Sequence, residues 1–154
     1  MGCHRGRGRK RQDLSSGSCA SLDELPATVR GLIDEARRAV MATIAADGTP
    51  HAIPITYALR DGAFITPIDH KPKKGFKLAR VRNIERDGRV TMLIDRWDED
   101  WTRLVWVMVK GRAHVEPGPV VPAELIARHE QYRDLMEDAL IVIEPSRILW
   151  WSWT

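Results

Sequence analysis

Cysteine is nearly absent: Cys3 and Cys19 are the two in 154 residues, and both precede the first apolar run. That excludes a disulfide framework, and no C-x-x-C pair offers a zinc site. No stretch of 18 apolar residues occurs, so no membrane-spanning helix is expected. The basic N-terminus lacks the apolar core of a signal peptide. Met1-Gly2-Cys3 resembles a lipidation start, but Gly6 stands where Ser or Thr is needed. Also missing are G-x-G-x-x-G, the P-loop and H-E-x-x-H, which excludes the common dinucleotide, nucleotide and zinc-protease signatures. No Ser–His–Asp or Cys–His arrangement is evident, which argues against hydrolysis and acyl transfer. A cytoplasmic location, no membrane partner and no metal are the resulting expectations.

Tyr and Phe are scarce, with two of each, yet there are six Trp. Such a bias calls for a local cause, because a buried indole N–H needs a partner. The net charge of +3 suggests a polyanion binder until its distribution is read. Of 24 basic and 21 acidic residues, five and one lie in the first thirteen positions, leaving 19 and 20 for the remainder. The body is close to neutral, so the basic character belongs to the tail. Residues 1–20 are Gly-, Ser- and Arg-rich with almost nothing to bury, and read as a disordered basic tail. A nucleic-acid-binding arm is the sharper but less favoured reading, and no nucleic-acid partner is expected.

Residues 21–154 read as one domain. Ser21 and Glu24 have capping-box spacing, with Pro26 delaying the regular helix. Val29, Leu32, Ile33, Ala36 and Val40 recur at helical spacing. The period then changes to two. Val40–Ala45 and Pro50–Leu59 read as strands around Asp47-Gly48, and Ala63–Ile68 as a third strand after Asp61-Gly62. A basic stretch, 69–87, reads as a loop entering a short helix. Arg89–Asp95 and Leu104–Val115 are further strands, separated by the Trp- and Asp-rich loop 96–102. After three prolines, Ala123–Leu135 regains helical spacing, and 140–143 and 147–153 make a final strand or two. Two-residue turns require antiparallel neighbours, and six strands with few helices predict a mainly β (α+β) fold, a small barrel.

Three segments in this order resemble the pyridoxamine 5'-phosphate oxidase-like superfamily. ATIAADGTPHAIPITY (42–57) is similar to its opening hairpin, and RVRNIERDGRVTMLID (80–95) to the helix and strand after its phosphate-binding loop. DEDWTRLVWVMVKGRAHVEP (98–117) resembles the next hairpin of the branch that uses the deazaflavin coenzyme F420. The resemblance implies a six-stranded antiparallel split β-barrel with flanking helices, of the FMN-binding type, forming a homodimer with cofactor sites between subunits. It implies an F420-dependent oxidoreductase transferring hydride to or from a small organic substrate. The alternative is an FMN- or haem-binding enzyme, carrier or sensor on the same barrel. The chain departs from the oxidase proper, for it ends in RILWWSWT without that enzyme's Arg-x-His substrate segment, and its basic loop DHKPKKGFK (69–77) is longer.

Lys71, Lys73, Lys74, Lys77, Arg80 and Arg82 place six positive charges within twelve residues. Taken alone such a run is a solvated face. Beginning past a strand end and leading into the family's phosphate-binding helix, it becomes a candidate for the cofactor's phosphate and acidic tail. Asn83 reads as a phosphate neighbour or as a structural residue of that helix. Thr66 reads equally as a hydroxyl for the phosphate or as an ordinary strand residue. The resemblance places His51, Pro54 and Ile55 on a strand beneath the ring, where the backbone does most of the contacting. It places Trp101 against the dimer partner's cofactor. The catalytic residue is open. Val105, Val107 and Val109, with the surplus Trp, read as more apolar surface than one small barrel hides, which motivates the expected homodimer.

Overall fold

The computed structural model describes residues 14–68, 77–118, 121–134 and 139–153. Eight strands form one antiparallel sheet: β1 (Leu14–Cys19), β2 (Ala39–Ile44), β3 (Pro50–Ile55), β4 (Ala58–Arg60), β5 (Ala63–Pro67), β6 (Arg89–Arg96), β7 (Val105–Pro117) and β8 (Ala139–Trp153). Three helices flank them: α1 (Ala27–Glu35), α2 (Ala79–Arg86) and α3 (Ala123–Arg128). The strand order is β3-β2-β6-β7-β8-β5-β4, and β1 joins from the side by pairing with β8. This is the expected split barrel with eight strands rather than six, and the sheet is not closed.

The extra strands come from two places. Pro50–Leu59 is not continuous, because Thr56 and Tyr57 leave the ladder between β3 and β4. The sequence from Leu14 to Cys19, read as disordered, is a strand in unbroken register with β8, from Leu14 opposite Trp153 to Cys19 opposite Ile148. Its composition offers little to bury, so the ordering comes from the backbone edge it meets. The tail up to residue 13 lies outside the described residues.

β8 explains how the barrel splits. It pairs with β7 along its whole length, with β5 over its first part (Leu140–Ile143) and with β1 over its second (Ile148–Trp153). The change of partner falls at a register shift between Lys110 and Gly111, opposite Pro145. A proline lacks the N–H that a ladder requires, so it sits where the ladder is already broken. The two final segments read from the sequence are therefore one bent strand.

The alternation of β6 and β7 sends Val90, Met92, Ile94, Val105, Val107 and Val109 inward, where they join Met41, Phe64, Ile141, Ile143 and Ile148 in the main core. Val105, Val107 and Val109 are 4, 0 and 0% exposed, so the face read as surplus surface is core. The exposed apolar surface lies on the opposite side of the same strands. α1 lays Val29, Leu32 and Ile33 on that core. α3 covers a second, smaller cluster of Ala58, Ile65, Leu125, Tyr132, Leu140 and Val142 on the outside of β5 and β8. The helix expected to run to Leu135 stops at Arg128, and a short 3-10 turn, Glu130–Tyr132, follows.

Local signals mostly act as their chemistry requires. Asp61 and Gly62 both have positive φ (52° and 78°), as a two-residue hairpin turn between right-twisting strands demands. α1 starts directly after Pro26. Ser21 does not cap the backbone; its hydroxyl donates to the Glu24 carboxylate at 3.0 Å. Among the described residues no helix is long and apolar enough to cross a membrane.

Tyr57, fully buried between the sheet and α1, donates its hydroxyl to the Ile33 carbonyl at 2.7 Å. Burial pushes its phenol up to about 12. Because the folded value lies above the ordinary value of about 10, Tyr57 stabilises the fold fully below pH ~10. That contribution is lost as pH rises toward 12. Thermal melts between pH 9 and 12 should show a decline in stability that is shallower in Tyr57→Phe; equal slopes would show that the phenol is not the group responsible.

Candidate functional site

A cleft of about 270 Å³ opens where β3, β5 and α2 converge, lined by Arg38, Pro54, Ile55, Thr56, Thr66, Pro67, Arg80 and Tyr132. Each wall follows from the fold. Among the described strands β3 pairs with β2 alone, which leaves the other row of its backbone groups open to meet a ligand. Thr66 stands on β5 beyond the last residue paired with β4, and is 3% exposed. Thr56 and Tyr132 are joined by a 2.7 Å hydrogen bond between their hydroxyls. That contact ties the β3–β4 corner to the turn after α3.

Arg80 lies in the first turn of α2, whose cap residue Leu78 supplies no side-chain acceptor, and no acidic residue sits in that turn. The N–H groups of Val81 and Arg82 bond the Leu78 carbonyl, and the helix dipole adds to the charge of Arg80. Arg38 faces it from the junction between α1 and β2 and has no hydrogen bond or ion pair among the described residues. Among the described residues no carboxylate lines the cleft. Two guanidinium groups, a buried hydroxyl, a helix N-terminus and a strand edge give the chemistry to hold a phosphate beside a flat ring.

Pro54, Ile55, Thr66 and Arg80, all singled out from the sequence, meet in this cleft. Others do not. His51 is half-buried farther back on β3, and its carbonyl accepts from the Thr43 hydroxyl at 3.5 Å. Arg82 projects from α2 and donates to the Lys77 carbonyl at 2.6 Å. Asn83 is 6% exposed and donates to the Thr43 hydroxyl at 3.0 Å, while its oxygen accepts from Arg86. Asn83 thereby fastens α2 to β2, the structural alternative of the two readings. Lys71, Lys73 and Lys74 lie outside the described residues. Lys77 pairs with Glu85 at 3.0 Å.

Trp101 is 63% exposed in a short 3-10 turn between β6 and β7 and does not line the cleft of its own chain. The acidic residues around it are occupied locally. Asp98 accepts from the Asp100 N–H, Asp100 from the N–H and hydroxyl of Thr102, and both approach Arg103. The carboxylates hold the loop's shape, and Asp100 is held below the usual range by its Thr102 hydrogen bonds.

Sequence reasoning missed Arg38, Thr56, Pro67 and Tyr132. Arg37-Arg38 at a helix-to-strand junction, just before an apolar run, is the signal that could have pointed to the first. The other three occupy corners, where periodicity carries no information.

A family model described as Pyridoxamine 5'-phosphate oxidase matches residues 25–152. No curated protein matches the sequence. Among solved structures, a conserved hypothetical protein of Mycobacterium tuberculosis is 22% identical with a TM-score of 0.65, over 78% of this chain and 80% of that one. A structure described as an F420 reductase is 21% identical with a TM-score of 0.60, over 80% and 98%. HutZ, the haem-storage protein of Vibrio cholerae, is 15% identical with a TM-score of 0.60, over 76% and 87%. These likenesses concern the fold.

Proposed function

The chain belongs to the pyridoxamine 5'-phosphate oxidase family, and from that premise we propose that it is an oxidoreductase holding a flavin-type cofactor, the deazaflavin coenzyme F420, in the cleft between β3, β5 and α2. The observation that carries the reading is the convergence of Arg38 and Arg80 on one cleft at the edge of β3, with Thr66, Pro54 and Ile55 in the same wall. The two guanidinium groups, the N-terminus of α2 and the Thr66 hydroxyl would hold the phosphate. Pro54, Ile55 and the free backbone of β3 would support the ring. When bound, such a ring supplies hydride chemistry; the chain's own part is to orient it and keep water from one face.

FMN offers the same phosphate and flat ring to this lining, and the likeness to an F420 reductase favours the deazaflavin. The likeness to a haem-storage protein makes haem the competing occupant. Haem iron takes an imidazole, thiolate, thioether or phenolate ligand. Among the described cleft residues only Tyr132 offers one of these, and its hydroxyl is already bonded to Thr56. Titration of the purified chain with coenzyme F420, FMN and haem, followed by fluorescence and absorbance, tests the assignment. F420 is expected to bind most tightly; tight FMN or haem binding with no response to F420 overturns it.

The homodimer is part of the same proposal, with its face moved to the outside of the sheet. Pro54, Val40, Leu93, Met108 and Leu149 follow one another across β3, β2, β6, β7 and β8 in register. Val40 and Leu93 are 42% and 38% exposed, unusual for large aliphatic residues on adjacent strands. Pro54 belongs both to this row and to the cleft wall, so a second copy packed here would border the cleft's mouth. Exposed Trp97 and Trp101 lie beyond the end of β6, at the margin of the same face. Sedimentation should report a dimer, and Leu93→Asp should weaken it at least tenfold without unfolding the chain. A monomer that binds cofactor at full affinity would sink this part.

A further inference from the structure

Past Arg38 the cleft continues into a second concavity of about 580 Å³, lined by Arg37, Arg38, Thr56, Ala127, Arg128, His129, Glu130 and Gln131. Arg38 and Thr56 belong to both walls. The second concavity lies where the C-terminal ends of α1 and α3 meet. Three arginines at one place need an explanation, because guanidinium groups repel one another.

Part of the explanation is structural. The Arg128 guanidinium donates to the carbonyls of Ile33 and Ala36 at the end of α1, and to the Tyr57 hydroxyl at 3.3 Å. It lies over the Tyr57 ring at 4.6 Å. Arg37 donates to the Arg128 carbonyl at 2.5 Å, which closes α3 in return. The carbonyl end of a helix carries about half an elementary negative charge, so two ends call for roughly one positive charge. Three are present. Among the described residues the one lining carboxylate, Glu130, is engaged by Arg133 at 3.3 Å. Arg38 caps nothing and pairs with nothing among the described residues.

Unused donors make the same point. Arg128 spends one terminal nitrogen on all three of its acceptors, and its Nε is buried without a hydrogen-bond partner. His129, 5% exposed, donates from Nε2 to the Tyr57 carbonyl at 3.1 Å, and burial holds its imidazole below the usual value. It therefore adds little charge of its own at neutral pH. Among the described residues the surplus of about two positive charges resides on the arginines.

We propose that this concavity is a second anion subsite, which takes a carboxylate or phosphate group separate from the phosphate held by Arg38 and Arg80. The inference rests on the cofactor reading for the first cleft, since it assigns the neighbouring space. The acidic group belongs either to an extended cofactor or to a separate acidic substrate, and Arg38 bridges the two anions.

Gln131→Glu tests this directly. Gln131 is an exposed member of the second wall, has no part in the first cleft, and is nearly the same shape as Glu. A new negative charge there should weaken an anion in the subsite about tenfold. Pyrophosphate and citrate are titrated into the full chain by calorimetry, with and without saturating FMN. Saturable binding that falls about tenfold in Gln131→Glu, while the FMN dissociation constant moves less than twofold, is the expected result. Binding alongside FMN assigns the subsite to a separate acidic molecule. An advantage of FAD over FMN that vanishes in the variant assigns it to the cofactor's own second phosphate. No saturable anion binding, or equal binding by both proteins, overturns the subsite. Failure of FMN and F420 to bind, with anion binding intact, overturns the cofactor reading instead.

Discussion

Replacing Arg38 with Gln should weaken cofactor binding by roughly 10- to 100-fold, and adding Arg80→Gln should take the loss to about 1,000-fold or beyond. A hydrogen bond to a charged group contributes about 1.5–3 kcal/mol, which is one to two powers of ten in affinity. The described lining of the cleft holds both guanidinium groups and no carboxylate, so the two contributions should add. Both side chains reach solvent, Arg38 being exposed and Arg80 half-buried, so the double variant should melt within a few degrees of the parent. Fluorescence titration reads the affinity and a thermal melt reads the fold. Salt dependence gives an independent check, because losing two phosphate-contacting cations should flatten the fall in affinity with ionic strength. Unchanged affinity in the double variant would remove the first cleft as the phosphate site. The basic segment 69–76 would then be the place to look.

Why Arg38 escaped a reading of the sequence while Arg80 did not is a matter of where information sits. Arg80 stands in a run of like charges that resembles a known phosphate-binding element, and α2 then carries it to the cleft. Arg82, from the same run, points back to the Lys77 carbonyl. Two residues on a helix differ by about 200° in direction, and charge density alone does not tell them apart. Arg38 belongs to no run and no periodic face. Its position follows from where α1 ends against β2, and that depends on the packing of Leu32, Ile33 and Tyr57, not on neighbours in sequence.

The strands divide in the same way. β6 and β7 alternate so plainly that their inward and outward faces can be assigned residue by residue, and Asp61-Gly62 marks its hairpin without help. Which face is surplus does not follow from alternation, and the choice of Val105, Val107 and Val109 as surface picked the core side. β1 is invisible because Ser15, Ser16, Gly17 and Ser18 have no strand propensity to display. Its order is supplied by the free edge of β8. Gly17 fits there under the Trp150 ring, where a Cβ would come within 2.6 Å of the indole.

Gly111→Ala should be the most damaging small substitution in the chain. Gly111 sits at the register shift where β7 and β8 bend together, the pairing on which β1, β5 and β6 all depend. A Cβ added there would meet the Glu144 carbonyl oxygen at 2.2 Å, the Glu144 carbonyl carbon at 3.0 Å and the Pro145 Cα at 3.2 Å. Every one of these is backbone of the neighbouring strand, so no side chain can swing aside. Relief requires separating β7 from β8 at the point where Pro145 already contributes no N–H. Overpacking costs about 1–3 kcal/mol where side chains can adjust, and this site should lie at or above the upper end. Against a typical stability of about 5–15 kcal/mol, the melting temperature should fall by roughly 10 °C. Gly31→Ala is the matched control: it lies within α1, and an added Cβ meets nothing within 4 Å. There the lower entropy of the unfolded chain and the better helix propensity should raise stability by about 0.5–1 kcal/mol. Opposite shifts for the two variants in one calorimetric series are the expected outcome. A Gly111→Ala protein that melts like the parent would mean that the β7–β8 bend is looser than its backbone contacts require.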